Sequence, residues 1–142
     1  MTSPINHRRS LSEHSYSELE KKLDREISEY VRRSPTGYCT CYTCGAIQPK
    51  ESTDCGHYIV RAYRGTRYDL RNLRPQCKRC NWTLEGNHQV FRKRLVEEYG
   101  EKAVEDMENH AKFFGQTRHA REWLIAEIAR YRELNKKYKE GV

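Results

Sequence analysis

The feature that most constrains this chain is a set of four cysteines arranged in two close pairs. Cys41 and Cys44 form one Cys-x-x-Cys pair, and Cys77 and Cys80 form the other. A turn of this kind directs two thiolates to one point, and two such turns complete the tetrahedral site that zinc prefers. The spacing therefore predicts a structural zinc site with the four ligands Cys41, Cys44, Cys77 and Cys80.

The composition is typical of a small domain that depends on a metal. The 142 residues suffice for one domain, but only 36% of them are hydrophobic and 33% are charged. A large apolar core cannot be built from such a chain. Because metal-binding free energy is also folding free energy in a small module, zinc compensates for part of the missing core.

The location of the chain also follows from its cysteines and its hydropathy. Met1–Arg9 lacks the apolar segment of a secretory signal, and no stretch is long enough to span a membrane. We therefore expect a cytosolic protein, with no membrane partner and with its cysteines on zinc rather than in disulfides. Two cysteines are left over. Cys39 is an alternative ligand, and Cys55 is expected to be a small buried residue.

Positive charge is concentrated around the cysteine pairs. The chain carries +7 overall, yet residues 57–94 alone contain ten Lys and Arg against two acids. Such a concentration favours a polyanionic partner, above all nucleic acid, over a merely solubilising surface. The predicted nucleic-acid contacts in this segment are Arg61, Arg64, Arg67, Arg71, Arg74, Lys78, Arg79 and Arg92.

The periodicity predicts an α+β protein in which helices flank a central metal-bound module. A helix is expected from Ser17 to Arg33, opened by a Ser17–Glu20 capping box, after a loose arm at Met1–His14. The module itself spans residues 38–100, between an N-terminal part at residues 1–37 and C-terminal helices at residues 101–142. Its expected elements are a hairpin of two short strands within Ile47–Tyr68 with a basic loop around Arg61–Gly65, a connector at Asp69–Pro75 and a helix from near Asn81 to Tyr99, broken or bent at Gly86. The C-terminal elements are a helix at Glu101–Lys112, a turn at Phe113–Gly115 and a helix at Thr117–Tyr138.

Polar residues between and beside the cysteine pairs carry the chemistry. If zinc joins the two pairs, His57 and Asn81 face each other across a small cleft. A neutral histidine is suited to act as general base, and the oxygens of Asp54, Asn81 and Glu85 suit a hard cation such as Mg²⁺ or Mn²⁺. The residues thus favour a second, catalytic metal beside the structural zinc.

The order of these motifs resembles that of the HNH endonucleases, also called ββα-metal or His-Me finger nucleases. The residues that carry the resemblance are C-x-x-C, D-C-G-H-Y, N-L-R-P-Q-C-x-x-C-N, G-N and F-R, between Cys41 and Arg92. Within that superfamily, the chain looks most like the NinG (Rap) recombination proteins of lambdoid phages. The resemblance implies a ββα-metal core and a metal-dependent, structure-specific DNA endonuclease. Its implied substrates are branched recombination intermediates such as Holliday junctions or D-loops, in the cytosol of a bacterial host.

The resemblance also implies roles for individual residues. His57 falls at the general base, Asn72 at the asparagine that braces the hairpin loop, and Asn81 at a metal ligand. Asn87 matches the Gly-Asn pair of the NinG pattern and joins the implied DNA contacts. Glu85-Gly86 is similar to the acid and glycine found near this point in the zinc-bearing resolvase of T-even phages.

Three points remain open in the sequence. The residue before the base is usually an aspartate that binds metal, but here it is Gly56, and Asp54 lies on the same strand face two residues earlier. A zinc-ribbon module that binds nucleic acid without catalysis explains the cysteines and the charge equally well. A homodimer suits the two cuts that a four-way junction requires, although no residue pattern shows one.

Overall fold

Five α-helices and two pairs of antiparallel strands make up residues 8–141, the part of the chain that this computed structural model describes. The predicted α+β class is confirmed. The helices are α1 Tyr16–Val31, α2 Arg64–Arg67, α3 His88–Tyr99, α4 Glu101–Phe114 and α5 Arg121–Lys139. The strands are β1 Tyr38–Thr40, β2 Ile47–Pro49, β3 Thr53–His57 and β4 Leu73–Cys77. None of the helices in residues 8–141 has both the length and the apolar character needed to cross a membrane.

The main apolar core lies between the first and the last helix. Leu19, Leu23 and Ile27 recur every four residues on α1 and are fully or almost fully buried. They pack against Leu124 and Ile128 of α5. The two ends of the chain therefore form one core, which also receives Tyr68 and Leu73 from the strand region.

The start of α1 differs from its prediction. The N-cap is Ser15, whose hydroxyl accepts the Glu18 N–H at 3.1 Å, so the capping box predicted at Ser17–Glu20 is wrong. Both serines precede a glutamate at a suitable spacing. Ser15 takes the cap because its backbone is extended, whereas Ser17 already lies in the first helical turn.

The described part of the predicted loose arm is folded. Leu11–Glu13 forms a 3₁₀ turn, and His14 is buried with its Nδ1 2.8 Å from Ser10 O. Arg121 of α5 donates to Ser12 O at 2.8 Å. The prediction is therefore wrong for residues 8–14, because a helix more than 100 positions away supplies the partner. Met1–His7 lie outside the described residues.

The strand pairing differs most from prediction. The hairpin predicted within Ile47–Tyr68 is wrong, because helix α2 lies where its second strand was expected. Instead, β2 pairs with β1 and β3 pairs with β4. In the second pair, Thr53 opposes Cys77 and His57 opposes Leu73. Residues 73–75, expected to be connector, belong to β4, where Pro75 is tolerated because both strands of a two-stranded sheet are edges.

A second apolar cluster joins the two helices that follow. Phe91 and Leu95 of α3 pack against Val104 and Met107 of α4. The chain reverses between them at Gly100, whose φ of +91° is open to glycine and rare for other residues. The predicted break at Gly86 is confirmed, because α3 begins only at His88.

The C-terminal boundaries are shifted from their predicted positions. Phe113 and Phe114 extend α4 rather than forming a turn, and α5 begins at Arg121 rather than Thr117. The segment before α5 is held in a non-helical conformation. His119 Nε2 lies 2.9 Å from Arg64 O, and the Ala120 backbone is extended.

Candidate functional site

The four paired cysteines lie together. Their sulfur atoms are all within 4.8 Å of one another, and Cys44 Sγ is 3.7 Å from Cys77 Sγ. Sulfurs around a tetrahedral zinc with bonds of about 2.3 Å are about 3.8 Å apart, so this spacing fits zinc. Within residues 8–141 no other group of three or more His, Cys, Asp or Glu ligands lies so close. The predicted cluster of Cys41, Cys44, Cys77 and Cys80 is thus confirmed as a site that can hold zinc.

Backbone hydrogen bonds bring the two pairs together. The first pair sits in the turn after β1, where the Gly45 N–H bonds to Cys41 O at 2.9 Å. The Tyr42 N–H reaches Pro75 O, also at 2.9 Å, which joins this turn to β4. Cys77 ends β4, and Cys80 lies in a π-helical turn at Arg79–Thr83.

Polar groups point at the sulfurs, as thiolates require. The Cys80 N–H lies 3.4 Å from Cys77 Sγ, and the Thr43 hydroxyl lies 3.3 Å from Cys41 Sγ. Asn87 Nδ2 lies 3.7 Å from Cys80 Sγ. Asn87, predicted to contact DNA, therefore has a partner in the metal cluster itself.

The two remaining cysteines take no part in the cluster. Cys39 is buried, and its thiol lies 3.3 Å from Arg32 O. Cys55 is half-buried and packs against the core between α1 and α5. The structure therefore gives Cys39 a backbone partner instead of the metal-binding role that was its alternative.

A cleft of about 280 Å³ opens beside the metal cluster. His57 enters it from the end of β3, and Asn81 and Glu85 enter it from the turn that follows Cys80. Its remaining wall includes Arg61 and His88. His57, Asn81 and Glu85, which were singled out from the sequence, thus share one cavity, whereas Asp54 does not line it.

His57 lies in an environment that disfavours its charged form. Burial is the larger cause and the Arg61 charge adds to it, and together they lower the pKa of His57 to about 4. The imidazole is therefore neutral at neutral pH. A neutral ring has a nitrogen lone pair that can accept a proton.

The Asp54 carboxylate accepts hydrogen bonds from three side chains. Asn81 Nδ2 and Trp82 Nε1 donate to its Oδ2 at 3.1 and 2.8 Å, and Lys78 Nζ reaches its Oδ1 at 2.7 Å. Burial raises the pKa of Asp54, but the Lys78, Asn81 and Trp82 hydrogen bonds outweigh it and hold the pKa below its ordinary value. The Asn81 amide nitrogen is used here, and its oxygen has no protein partner among the described residues.

A glutamine occupies the space where a side chain at position 56 would lie. Gln76 opposes Asp54 across the strand pair, and a Cβ on Gly56 would lie 2.0 Å from Gln76 Oε1. Gln76 Nε2 donates to Gly86 O at 2.9 Å and to Thr43 Oγ1 at 3.2 Å. Position 56 therefore has room only for glycine, because Gln76 crosses that face to join the first cysteine turn to the Gly86 turn.

Asn72 holds the loop between β3 and β4. It is fully buried, its Oδ1 accepts the Ile59 N–H at 2.7 Å, and its Nδ2 donates to Ile59 O and Thr66 O. This loop begins directly after His57. Asn72 thus fixes the chain that leads away from the candidate base.

Most of the basic residues predicted to contact DNA have acidic partners within the chain. Arg67 forms a two-bond pair with Asp24 of α1, and Arg64 does the same with Glu20. Further pairs are Arg71 with Asp69, Arg74 with Glu98, Lys78 with Asp54, and Arg92 with Glu101 and Glu108.

Two of the predicted cations remain accessible beside the cleft. Arg61 is mostly exposed and lies 3.7 Å from Asp24, a distance beyond a good hydrogen bond. Arg79 is exposed, and no acidic partner for it occurs in the described part of the chain. His88 and His110 are also exposed.

Reasoning from sequence missed Gln76 and Trp82. A glycine inside a strand often marks the close approach of another group, so Gly56 was a signal that a neighbour such as Gln76 covers that face. No comparable signal identified Trp82, because its role depends on the three-dimensional position of Asp54.

Comparisons with known proteins agree on one family. The family described as Bacteriophage Lambda NinG protein matches residues 5–140. A protein named ninG from Escherichia phage 933W is 27% identical over 121 residues, which cover 84% of this chain and 54% of that protein. The ninG protein of Salmonella phage P22 is 30% identical over 93 residues, covering 65% and 45%. The ninG protein of Escherichia phage lambda is 28% identical over 91 residues, covering 63% and 44%.

Two further facts describe the extent of this similarity. The chain spans about half the length of the curated relatives that it matches. No solved structure is significantly similar to it. The family match nevertheless extends over almost the whole chain and includes both cysteine pairs and the cleft beside them, and the chain therefore belongs to the NinG family of phage proteins.

Proposed function

We propose that this chain is a metal-dependent DNA endonuclease that hydrolyses phosphodiester bonds in branched recombination intermediates such as Holliday junctions or D-loops. The observation that carries the proposal is the single cleft shared by His57, Asn81 and Glu85 beside the four-cysteine cluster. The strand–strand–helix order around it, β3, β4 and α3, supports the expected ββα-metal core.

His57 is the proposed general base. Its neutral ring accepts a proton from the water that attacks phosphorus, and the bond from phosphorus to the 3′ oxygen breaks. The products then carry a 5′-phosphate and a 3′-hydroxyl. Asn72 contributes by fixing the loop that begins at Tyr58, directly after the base.

Asn81 and Glu85 are the proposed ligands of a catalytic Mg²⁺ or Mn²⁺. The Asn81 amide oxygen has no protein partner among the described residues, and Glu85 is exposed in the cleft without an ion pair there. Two such oxygens fit a hard cation, which commonly takes one or two protein ligands and completes its shell with phosphate and water. When bound, this cation supplies charge stabilisation at the phosphate and the leaving oxygen.

Asp54 is better assigned as a positioning residue than as a metal ligand. Both of its oxygens are engaged by donors, and the hydrogen bond that it accepts from Asn81 holds the amide nitrogen and leaves the amide oxygen for the cation. This assignment replaces the expectation that Asp54 takes the place of the aspartate missing at Gly56.

The accessible cations give the DNA a place beside the cleft. Arg61 lies in the cleft wall, and Arg79 lies in the turn that carries Asn81. Phosphate contacts of this kind position a DNA strand without reading its sequence. The preference for branched DNA is supported by family resemblance, and a homodimer remains part of the proposal because a four-way junction needs two cuts.

The deciding experiment compares cleavage of a labelled four-way junction and of its matched linear duplex. Zinc-loaded protein is incubated with Mg²⁺, with Mn²⁺ or without an added divalent cation. His57→Ala is compared with His110→Ala, a matched change of an exposed histidine on α4. We expect metal-dependent cutting of the junction that is lost in His57→Ala and kept in His110→Ala. Tight binding without cutting under every condition would instead support a non-catalytic zinc-ribbon module.

A further inference from the structure

The most exposed large aromatic side chain in the described residues is Trp82. It is 71% exposed, although burying an indole is normally favourable. It belongs to none of the apolar clusters, and it makes no ring contact with another aromatic residue within residues 8–141. Packing of the fold therefore does not explain this tryptophan.

The ring of Trp82 is nevertheless held in place. Its indole N–H donates to Asp54 Oδ2 at 2.8 Å, and the same oxygen accepts Asn81 Nδ2. The indole is therefore fixed by the carboxylate that also orients the candidate metal ligand. Because a fixed side chain has little rotamer freedom left to lose, a flat ligand binds to its face at low entropic cost.

The surroundings of Trp82 suit a nucleic-acid strand. Arg79 lies three positions earlier in the same turn, is exposed and has no acidic partner within residues 8–141. Lys78 beside it is exposed, and its ammonium pairs with Asp54. Leu84, two positions later, is 41% exposed and adds apolar surface. An aromatic platform flanked by cations is the arrangement that binds bases by stacking while the cations contact phosphates.

We infer that Trp82 stacks on a nucleobase that is uncovered at the branch point of the DNA, next to the bond placed in the cleft. In a continuous duplex both faces of every internal base are covered by its neighbours, so this tryptophan has no partner there. At a branch, an unpaired base offers a free face, and so does the last base pair of an arm that is not stacked on another arm. The inference rests on the proposed function and gives it a physical source of preference for branched over linear DNA.

The first test measures stacking without cleavage. Trp123→Phe leaves Trp82 as the sole tryptophan, and His57→Ala prevents cutting. Trp123 packs against His119 and Tyr68, away from the cleft, so its replacement serves as a neutral background. The DNA is either a branched duplex with two unpaired bases at the branch or a linear duplex whose ends are capped by non-nucleotide linkers. We expect Trp82 emission to be quenched by the branched DNA and to stay unchanged with the capped duplex. Equal quenching by both, or none with bound branched DNA, would overturn the inference.

The second test measures preference. Trp82→Ala should reduce the affinity ratio of branched to capped linear DNA by about tenfold, since base–aromatic stacking is commonly of this strength. Trp82→Phe retains a ring but loses the Asp54 hydrogen bond, so it should keep most of the ratio. Trp123→Phe should not change it. An unchanged ratio in Trp82→Ala, or an equal loss in Trp82→Phe, would overturn the stacking role.

The two proposals fail in different ways. Quenching by branched DNA in a protein that never cuts would leave the stacking inference standing and contradict the endonuclease. If Trp82→Ala cuts DNA with an unchanged preference for branched DNA, the endonuclease proposal stands and the stacking inference is contradicted. Both readouts use the complete chain with its zinc retained.

Discussion

At the residue scale, the candidate cleft depends on how neighbours set the state of single side chains. Burial and Arg61 keep His57 neutral, and Asp54 accepts the Asn81 amide nitrogen beside the cleft. Gln76 takes the space that an aspartate at position 56 would need. The glycine at position 56 is therefore matched by a specific neighbour on the facing strand.

The lowered pKa of His57 predicts the pH dependence of cleavage. The ring stays neutral as the pH falls through 6.5 and becomes protonated only near pH 4. We expect the single-turnover rate at saturating Mg²⁺ to change less than about twofold between pH 7.5 and 5.5. A base with an ordinary pKa of about 6.5 would lose roughly tenfold over that range. A tenfold loss of the cleavage rate, in protein that circular dichroism shows to be folded, would contradict the environment assigned to His57.

Position 56 gives a prediction about stability. Gly56→Ala places a Cβ 2.0 Å from Gln76 Oε1, so we expect a loss of about 2 kcal/mol in the free energy of unfolding. The measurement is urea denaturation of Gly56→Ala, Gln76→Ala and the double variant. Because the two positions are in contact, the double variant should be more stable than the sum of the single losses predicts. Strict additivity, or an undisturbed Gly56→Ala, would show that the strand face is not filled as described.

At the scale of elements, the metal cluster joins two segments that are also linked by the Tyr42–Pro75 backbone hydrogen bond and by the Gln76 side chain. The turn after β1 and the π-helical turn after β4 meet at the four sulfurs, and the second turn carries Asn81 and Glu85. The cysteine spacing predicted this junction. It could not predict which strands pair, because β1 with β2 and β3 with β4 are chosen by contacts outside each segment.

We therefore expect zinc to control the stability of this region. The purified chain should contain one zinc, and Cys80→Ser should lose it. Losing a structural site costs at least about 3 kcal/mol, which lowers the melting temperature by roughly 6–12 °C in a chain of this size. The matched control is Cys39→Ser, because Cys39 is buried against Arg32 O and outside the cluster. Loss of zinc in Cys39→Ser, or its retention in Cys80→Ser, would refute the assigned ligand set.

At the scale of the whole molecule, most cations of the basic segment form ion pairs within the chain, and the unpaired ones are those proposed to contact DNA. The sequence shows that cations concentrate in residues 57–94, but it does not show which of them are paired. The Arg64 and Arg67 guanidinium groups join the loop after His57 to α1, through acids more than 40 positions earlier. Helices with strong periodicity, such as α1 and α5, were predictable, whereas these long-range pairs were not.

The difference between paired and unpaired cations predicts different salt dependences of DNA binding for two arginine variants. Arg79→Ala should reduce the slope of log binding constant against log salt concentration by about 0.9, the value for one phosphate contact. Arg67→Ala should leave the slope unchanged and lower stability instead, because it breaks the pair with Asp24. Fluorescence anisotropy with duplex DNA measures both slopes at salt concentrations from about 50 mM to about 200 mM. A reduced slope in Arg67→Ala, with none in Arg79→Ala, would reverse the assignment.

The central claim is that His57 removes a proton from the attacking water in a cleft that also holds Asn81 and Glu85. The most direct measurement is the single-turnover cleavage rate of His57→Ala on a branched DNA, with and without added imidazole. We predict a loss of about 10²- to 10⁴-fold, the usual contribution of a general base, and partial recovery as imidazole enters the vacated space in the cleft. Cleavage by His57→Ala at the wild-type rate would contradict the claim.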